Sequence, residues 1–582
     1  MEDKKVLLSV KDLTVKFSVR GRTLTAIRGV SLDLYENESI AIVGESGSGK
    51  SVLTKTFAGM LDSNGYISEG SLIFNDDELA DTYVDLDSTA KRMIANAEKQ
   101  LNKNSQLELG ADIYKNILQL ESELRQRETL SDEDEKSFED RRADLLFKRT
   151  ELFNQKLTID TSKEKAKYKE MTAKIAEFDK QIEALDAEKE QLMKAHKASL
   201  KADTAFLADY NKRMADLKAA YEKAIDAEVS DAVKARNAVI AKEMYLAVGR
   251  FGYNKRVKAM SGLVKALKKA MQLGVDLSNE DQLNSVFDTV AFRVKYLDET
   301  ADKLHGVCIL NLAKIKHAKD WTQIRGRRIA TVFQDPMTSL NPIVTIGKQI
   351  TSVILKHQDC SEIEARKRAL ILMKKVGIPN AEMRFDDYPF QYSGGMRQRI
   401  VIAIALCCQP KILICDEPTT ALDVTIQAQI LKLLKDLQKE FSYTIVFITH
   451  DLGVVANVAD RVAVLYAGQV VELGTVEEVF YDSRHPYTWA LLSSLPQLAQ
   501  RNTKLYSISG TPPSLYNKIV GDAFAPRNPY CLKIDTVMEP PMFQITETHF
   551  AKTWLLDPRA PKVDKPEIIQ NIHEKMQSAY KV

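Results

Sequence analysis

Eight consecutive residues, Gly44, Glu45, Ser46, Gly47, Ser48, Gly49, Lys50 and Ser51, have the types and spacing needed to hold a chain of phosphates. They follow the apolar run SIAIV and precede a helical pattern. In that setting the glycines let backbone N–H groups wrap phosphates, Lys50 reaches the terminal phosphates, and the Ser51 hydroxyl can ligate Mg²⁺. The chemistry is nucleoside triphosphate binding. A second element runs from Lys411 through four apolar residues to Asp416 and Glu417. Two adjacent carboxylates ending a buried strand are costly unless a cation or hydrogen bonds compensate them. Asp416 is placed to bind Mg²⁺, and Glu417 to polarise an attacking water in phosphoryl transfer. A third element is Tyr392-Ser393-Gly394-Gly395-Met396, followed by Arg-Gln-Arg. Ser393 can cap the helix after it, and that helix N-terminus is an anion site without a phosphate loop of its own.

The elements that must position these residues can be read from changes of composition. Residues 1 to about 84 and 319 to about 480 carry short β-branched strands alternating with helical stretches, among them RIATVF, KILICDEP, TIVFITH and RVAVLYAG. That alternation predicts an α/β core around a largely parallel sheet. Residues 85–318 differ, being rich in Ala, Lys, Glu, Asp and Leu and free of proline. Met171, Ile175, Phe178, Ile182, Leu185 and Leu192 follow a seam spacing, and so do Tyr210, Met214, Leu217, Tyr221 and Ala224. The pattern predicts an inserted coiled-coil region whose two arms fold back as an antiparallel hairpin.

Composition excludes several classes. With 582 residues, 45% hydrophobic and 28% charged, the chain has material for sizeable cores and is not wholly disordered. At roughly 150 residues per domain it should hold about three to four domains. Lys and Arg number 82 against 80 Asp and Glu, a formal charge of +2, so no global basic field points to nucleic acid. The six cysteines follow no CxxC spacing, which argues for reduced thiols rather than a disulfide framework. The N-terminus does not read as a signal peptide. The longest apolar run, Ile400–Cys408, falls far short of a bilayer span. The expectation is a soluble protein that meets any membrane through a partner.

With these residues in place, the chain resembles the ATP-binding subunits of oligopeptide/dipeptide ABC importers, the peptide/nickel transporter ATPase subfamily. SGGMRQR looks like the ABC signature motif. Gln334 in VFQDPMTSLNP resembles the Q-loop glutamine, Asp423 in TTALD the D-loop aspartate, and His450 in FITHDLG the switch histidine. Phe17 stands where the family places an aromatic that stacks on adenine. DEPTTALDVTIQAQI, RHPYTWALLSSLP, SGTPPSL and FAPRNPY narrow the likeness to the peptide importers.

The resemblance implies a P-loop ABC nucleotide-binding fold with a RecA-like core, an antiparallel β-subdomain and a helical subdomain. It divides the chain into 1–84 and 319–480 for the cassette, 85–318 for the insertion and 481–582 for a C-terminal importer extension. It also implies an ATPase that powers peptide uptake, with Glu417, His450 and Gln334 catalytic, and Ser51, Gln334 and Asp416 on Mg²⁺. ATP would be held by Phe17, by Gly44 through Ser51, and across a head-to-tail dimer by Ser393, Gly394, Gly395, Met396 and Asp423. The implied partners are a second, similar ATPase subunit, two transmembrane permease subunits and an extracellular peptide-binding protein, with no nucleic acid. The implied location is the cytoplasmic face of the cell membrane.

Two features depart from the pattern. Relatives often carry a tail cysteine cluster that in some binds iron–sulfur. Here Asp522 and Asn528 take the places of its first two cysteines, leaving Cys531. One thiolate cannot hold such a cluster, so none is expected. The insertion is the other departure, and it raises the alternative of an ABC-type ATPase acting on DNA or the ribosome. Against that alternative, Gln334 follows the insertion, no CxxC hook marks its centre, and the chain has a single phosphate loop.

Overall fold

The continuous apolar runs Ser39–Val43, Ile412–Asp416 and Thr444–Thr449 are buried along almost their whole lengths. Burial on both faces is what a central parallel sheet requires of its strands. The computed structural model describes residues 4–157, 164–315, 318–420, 422–495, 508–517 and 519–570. In it, five strands pair in parallel in the order Ile329–Val332, Ile412–Asp416, Thr444–Thr449, Ser39–Val43 and Arg461–Tyr466. Gln469–Thr475, Phe550–Ala551 and Phe543–Gln544 extend this sheet in antiparallel fashion to eight strands. The last two strands come from the C-terminal region. Val6–Val19 pairs antiparallel with Gly65–Phe74 in a separate sheet that also contains Arg22–Tyr35.

Helices Ile346–His357, Glu362–Lys375 and Gly394–Leu406 share one apolar core with the central sheet. Ile350, Ala369 and Ile402 are buried in it beside Val43 and Cys415. This gives the α/β cassette with its helical portion.

The described residues form two compact bodies. One comprises the residues up to 18, 23–74 and those from 311 onward, and the other comprises 19–22 and 75–310. The second body is mainly helical but also holds a three-stranded antiparallel sheet of Asp81–Asp85, Lys303–Cys308 and Val294–Glu299. Its core gathers Ile240, Met244, Leu263, Leu267 and Phe287. Arg293 makes a two-bond ion pair of 2.8 and 2.9 Å with Glu243, and both side chains are almost fully buried.

The expected hairpin needs correcting. Lys165–Ala202 and Thr204–Ile225, which carry the two seam stretches, follow one another with Asp203 alone between them. Asp203 caps the second helix by accepting from the Phe206 N–H at 3.0 Å, so no reversing turn separates the two. Each pairs instead with an earlier helix. Arg142–Asp186, Arg149–Asp179 and Lys189–Glu135 ion pairs run in opposite directions along Asp132–Leu157 and Lys165–Ala202, which makes that pair antiparallel. Ala111–Glu128 packs on Thr204–Ile225 through Ile117, Leu120, Met214, Leu217 and Tyr221.

Candidate nucleotide site

Three neighbouring strands end together at the site. Thr449 lies beside Val43, and Asp416 beside Ile448, so the residues after Val43, Asp416 and Thr449 leave the sheet at one edge. Open α/β sheets bind ligands outside these carboxyl ends. Gly44–Ser51, Glu417 and His450 are therefore brought together by strand register, although they are far apart in the chain.

The helix Lys50–Phe57 begins at Gly49, which has φ of 104° and no side-chain cap. A Cβ there would lie 2.9 Å from the Ala26 carbonyl oxygen. Glycine meets both conditions, and the first N–H groups of the helix stay available to an anion. The buried Lys50 ammonium donates to the carbonyls of Gly44 at 2.8 Å and Glu45 at 2.9 Å. Burial lowers its pKa, while the carboxylates of Glu417, Asp416 and Glu45 act to raise it. The Ser48 hydroxyl is buried without a hydrogen-bond partner among the described residues, an orphaned donor that a phosphate oxygen would satisfy. Ser46 and Gly47 are exposed at the tip of the loop.

Ser51 donates its hydroxyl to the Asp416 carboxylate at 3.2 Å. Burial pushes Asp416 above the usual carboxylate range, against the Ser51 hydrogen bond and the charges of Lys55 and Lys50, with Glu417 adding to the rise. A carboxylate in that state gains from a cation. The hydroxyl and carboxylate are hard oxygen donors of the kind Mg²⁺ accepts alongside substrate phosphates. Among the described residues no group of three or more His, Cys, Asp or Glu side chains could hold a metal, so a cation here would depend on the phosphates for its other ligands.

Glu417 lies at the centre of the polar network. Its φ of 45° is left-handed, a conformation that for a non-glycine residue costs on the order of 1–3 kcal/mol and clusters at functional sites. The Glu417 N–H donates to the Ile448 carbonyl at 3.0 Å. Its carboxylate accepts from Gln334 Nε2 at 2.9 Å and Thr420 Oγ1 at 3.0 Å, and meets His450 Nδ1 at 3.2 Å. Gln334, Asp416, Glu417 and His450 are thus gathered with Lys50 and Ser51.

The signature residues are held elsewhere. Ser393 caps Gly394–Leu406 by accepting from the Met396 N–H, and Ser393 and Gly394 are exposed. Gly395 packs on the helix Val424–Phe441, where a Cβ would come 2.7 Å from Ile426 Cγ2. Asp423 caps that same helix by accepting from the Ile426 N–H at 3.1 Å. The signature and Asp423 therefore form one exposed ledge. Phe17 is 9% exposed, and its ring lies against Gly65, a packing position in the antiparallel sheet.

Three side chains at the site lie within motifs that carry the resemblance, but no spacing rule assigns them to the phosphate loop or to Glu417. Thr420 stands three residues after Glu417 in the turn that follows its strand and donates to its carboxylate. Tyr487 and Arg527 reach Glu45 from the C-terminal region. Arg527 lies within FAPRNPY, and no spacing rule joins it to a loop 482 residues away.

The sequence pattern of the ABC transporter family matches residues 27–201 and 297–420, more than half of the chain. The chain belongs to the ABC transporter family. As an ATPase of that family it binds and hydrolyses ATP and works with membrane permease partners. Among its described residues no helix is long and apolar enough to cross a membrane. A second pattern, the C-terminal region of oligopeptide/dipeptide transporters, matches residues 471–534 of this ABC transporter chain. The oligopeptide transport ATP-binding protein AmiE of Streptococcus pneumoniae serotype 4 is 66% identical over 46% of this chain and 75% of its own length. The oligopeptide transport ATP-binding protein OppD of Bacillus subtilis is 58% identical over 45% of this chain and 74% of its own. The dipeptide transport ATP-binding protein DppD of Lactococcus lactis subsp. cremoris is 60% identical over 44% and 72%.

Proposed function

We propose that this ABC transporter ATPase powers uptake of oligopeptides or dipeptides. The match of residues 471–534 to the C-terminal region of such transporters, joined to the nucleotide site on the same body, carries the reading. The names of the three relatives support it. No observation favours the DNA- or ribosome-directed alternative.

In this reading Gly44–Ser51 cradles the phosphates of ATP and Lys50 leaves the loop carbonyls for the terminal phosphates. Ser51, Asp416 and Gln334 would hold Mg²⁺, whose chemistry there is neutralisation of phosphate charge. Glu417 orients and polarises the attacking water, and His450 and Gln334 keep its carboxylate in place. The exposed ledge of Ser393, Gly394, Gly395, Met396 and Asp423 meets the ATP held by a second ATPase subunit. Phe17 lies too far into the packing of its sheet to offer a full ring face, so adenine would rest at its edge. Two permease subunits hold the cassettes at the cytoplasmic face of the membrane, and an extracellular binding protein delivers the peptide.

Isolation of the full chain from its native membrane in mild detergent tests this. Permease subunits and a second ATPase should co-purify, with ATP hydrolysis stimulated by peptide plus binding protein. Recovery with DNA or ribosomes, or hydrolysis indifferent to peptide, would refute it.

A further inference from the structure

Glu45 belongs to the phosphate loop, yet two of its three polar groups are engaged from outside the loop. Its carboxylate receives two parallel bonds from Arg527, Nη1 to Oε2 at 2.7 Å and Nη2 to Oε1 at 3.0 Å. Its N–H donates to the Tyr487 hydroxyl at 2.8 Å. Its carbonyl accepts from Lys50 at 2.9 Å. The loop residue that helps park the Lys50 ammonium is therefore pinned by two residues of the C-terminal region.

The anchor is itself well braced. The Arg527 side chain is 5% exposed and that of Glu45 25%. Arg527 Nε donates to the Ser509 carbonyl at 3.0 Å, and Nη1 also reaches the Tyr466 hydroxyl at 3.2 Å. Tyr487 is fully buried and packs its ring against Tyr466 and Phe524. A guanidinium fork held at three nitrogens is rigid, and the carboxylate it grips takes up that rigidity.

We propose that Arg527 is a positioning residue for the phosphate loop, acting through the Glu45 carboxylate to set the affinity for ATP. The loop needs such help because Gly44, Gly47 and Gly49 leave it great conformational freedom when empty. Ordering it on ATP binding costs entropy, and a loop already held at Glu45 loses less. When Lys50 turns to the phosphates it releases the Glu45 carbonyl, while Arg527 and Tyr487 keep the backbone where it was. In this way the C-terminal region acts on nucleotide affinity without touching nucleotide. The inference rests on reading Gly44–Ser51 as the ATP loop.

The test is titration of the full chain with a fluorescent ATP analogue, together with ATP hydrolysis kinetics, for Arg527→Gln, Glu45→Gln and the double variant. Each single change should weaken binding about tenfold, equivalent to about 1.4 kcal/mol. The double variant should be no weaker than either single, because the two act through one contact. For Arg527→Gln, KM for ATP should rise while kcat at saturating ATP is kept, which a general loss of structure would not produce. Arg527→Lys, which keeps the charge but loses the fork, should recover only part of the affinity.

Parent-like binding by Arg527→Gln, additive losses, or a fall in kcat at unchanged KM would each overturn the inference. If Arg527→Gln does not fold, Glu45→Gln and Arg527→Lys decide on the same measurements. Lys50→Ala separates the role of the loop from that of Arg527. If it binds ATP normally, the loop reading falls. If it loses ATP while Arg527→Gln does not, only the role of Arg527 falls.

Discussion

Ser51 and Asp416, separated by 365 positions in sequence, share a hydrogen bond of 3.2 Å between hydroxyl and carboxylate. Ser51 lies in the first turn of Lys50–Phe57, and Asp416 ends the strand Ile412–Asp416. Burial there raises the Asp416 pKa, so the folded chain holds this proton more firmly than the unfolded chain. By linkage, stability falls as pH rises from the ordinary aspartate value through the raised folded one. Asp416→Asn removes the charge and keeps an acceptor for Ser51. Without nucleotide or Mg²⁺, the variant should melt higher than the parent at neutral pH. The gap should close below the ordinary aspartate range, where the parent is protonated too. A variant that melts lower than the parent at neutral pH would refute the account.

Glu417 supports a second prediction. Glu417→Gln keeps the size and the acceptor oxygen met by Gln334 but removes the base. Turnover should fall about 10²–10⁴-fold, the usual range for loss of a general base, with ATP affinity preserved. His450→Ala should also slow turnover, since His450 Nδ1 meets the same carboxylate. Single-turnover hydrolysis measures both. Near-normal rates in Glu417→Gln would remove it from the chemistry.

The cassette was legible in the sequence because its chemistry is local. Gly44–Ser51 and Asp416–Glu417 each sit beside the strand that presents them, so a motif and its flanks suffice. The insertion was legible only in part. Seam spacing told that Lys165–Ala202 and Thr204–Ile225 each bury one stripe, since Ile175, Ile182 and Met214 are indeed buried. It could not tell which helix covers the stripe, because apolar seams are interchangeable, and Asp203 as a bare cap ruled out the partner that spacing suggested. The small sheet around Lys303–Cys308 escaped for a related reason. Its strands run six residues or fewer with at most two buried residues each, too little pattern to stand out. FAPRNPY carried Arg527 as part of a motif, but its contact with Glu45 escaped, since an ion pair between distant segments leaves no trace in spacing.

Gly395 supports a third prediction, through the space it leaves. A Cβ there would meet Ile426 Cγ2 at 2.7 Å, so Gly395→Ala must lift the signature off the helix that Asp423 caps. ATP binding by the separate chain should persist, because Lys50 and Ser51 are untouched. Hydrolysis by the assembled dimer should drop, because the ledge is displaced. Adding Ile426→Ala makes room and should restore part of the activity. Failure of the second change to rescue, with both proteins folded, would show that the contact does not set the ledge.

The last prediction concerns the inserted body. Leu72 N–H donates to the Asn311 side chain at 3.1 Å, so the chain leaves the cassette near Phe74 and returns within reach of the same strand. A short Gly/Ser linker can therefore replace Asn75–Leu310 without stretching the cassette. The shortened chain should stay folded, bind ATP with parent-like affinity and melt in one transition. The excised segment has its own core and its buried Glu243–Arg293 pair, so it should fold when expressed alone. Within it, Glu243→Ala leaves the Arg293 charge buried without its carboxylate, a loss of about 3–5 kcal/mol for a broken buried pair. That variant should unfold the excised segment. If the shortened cassette aggregates while the excised segment folds, the insertion is part of the cassette's own core rather than a separate body.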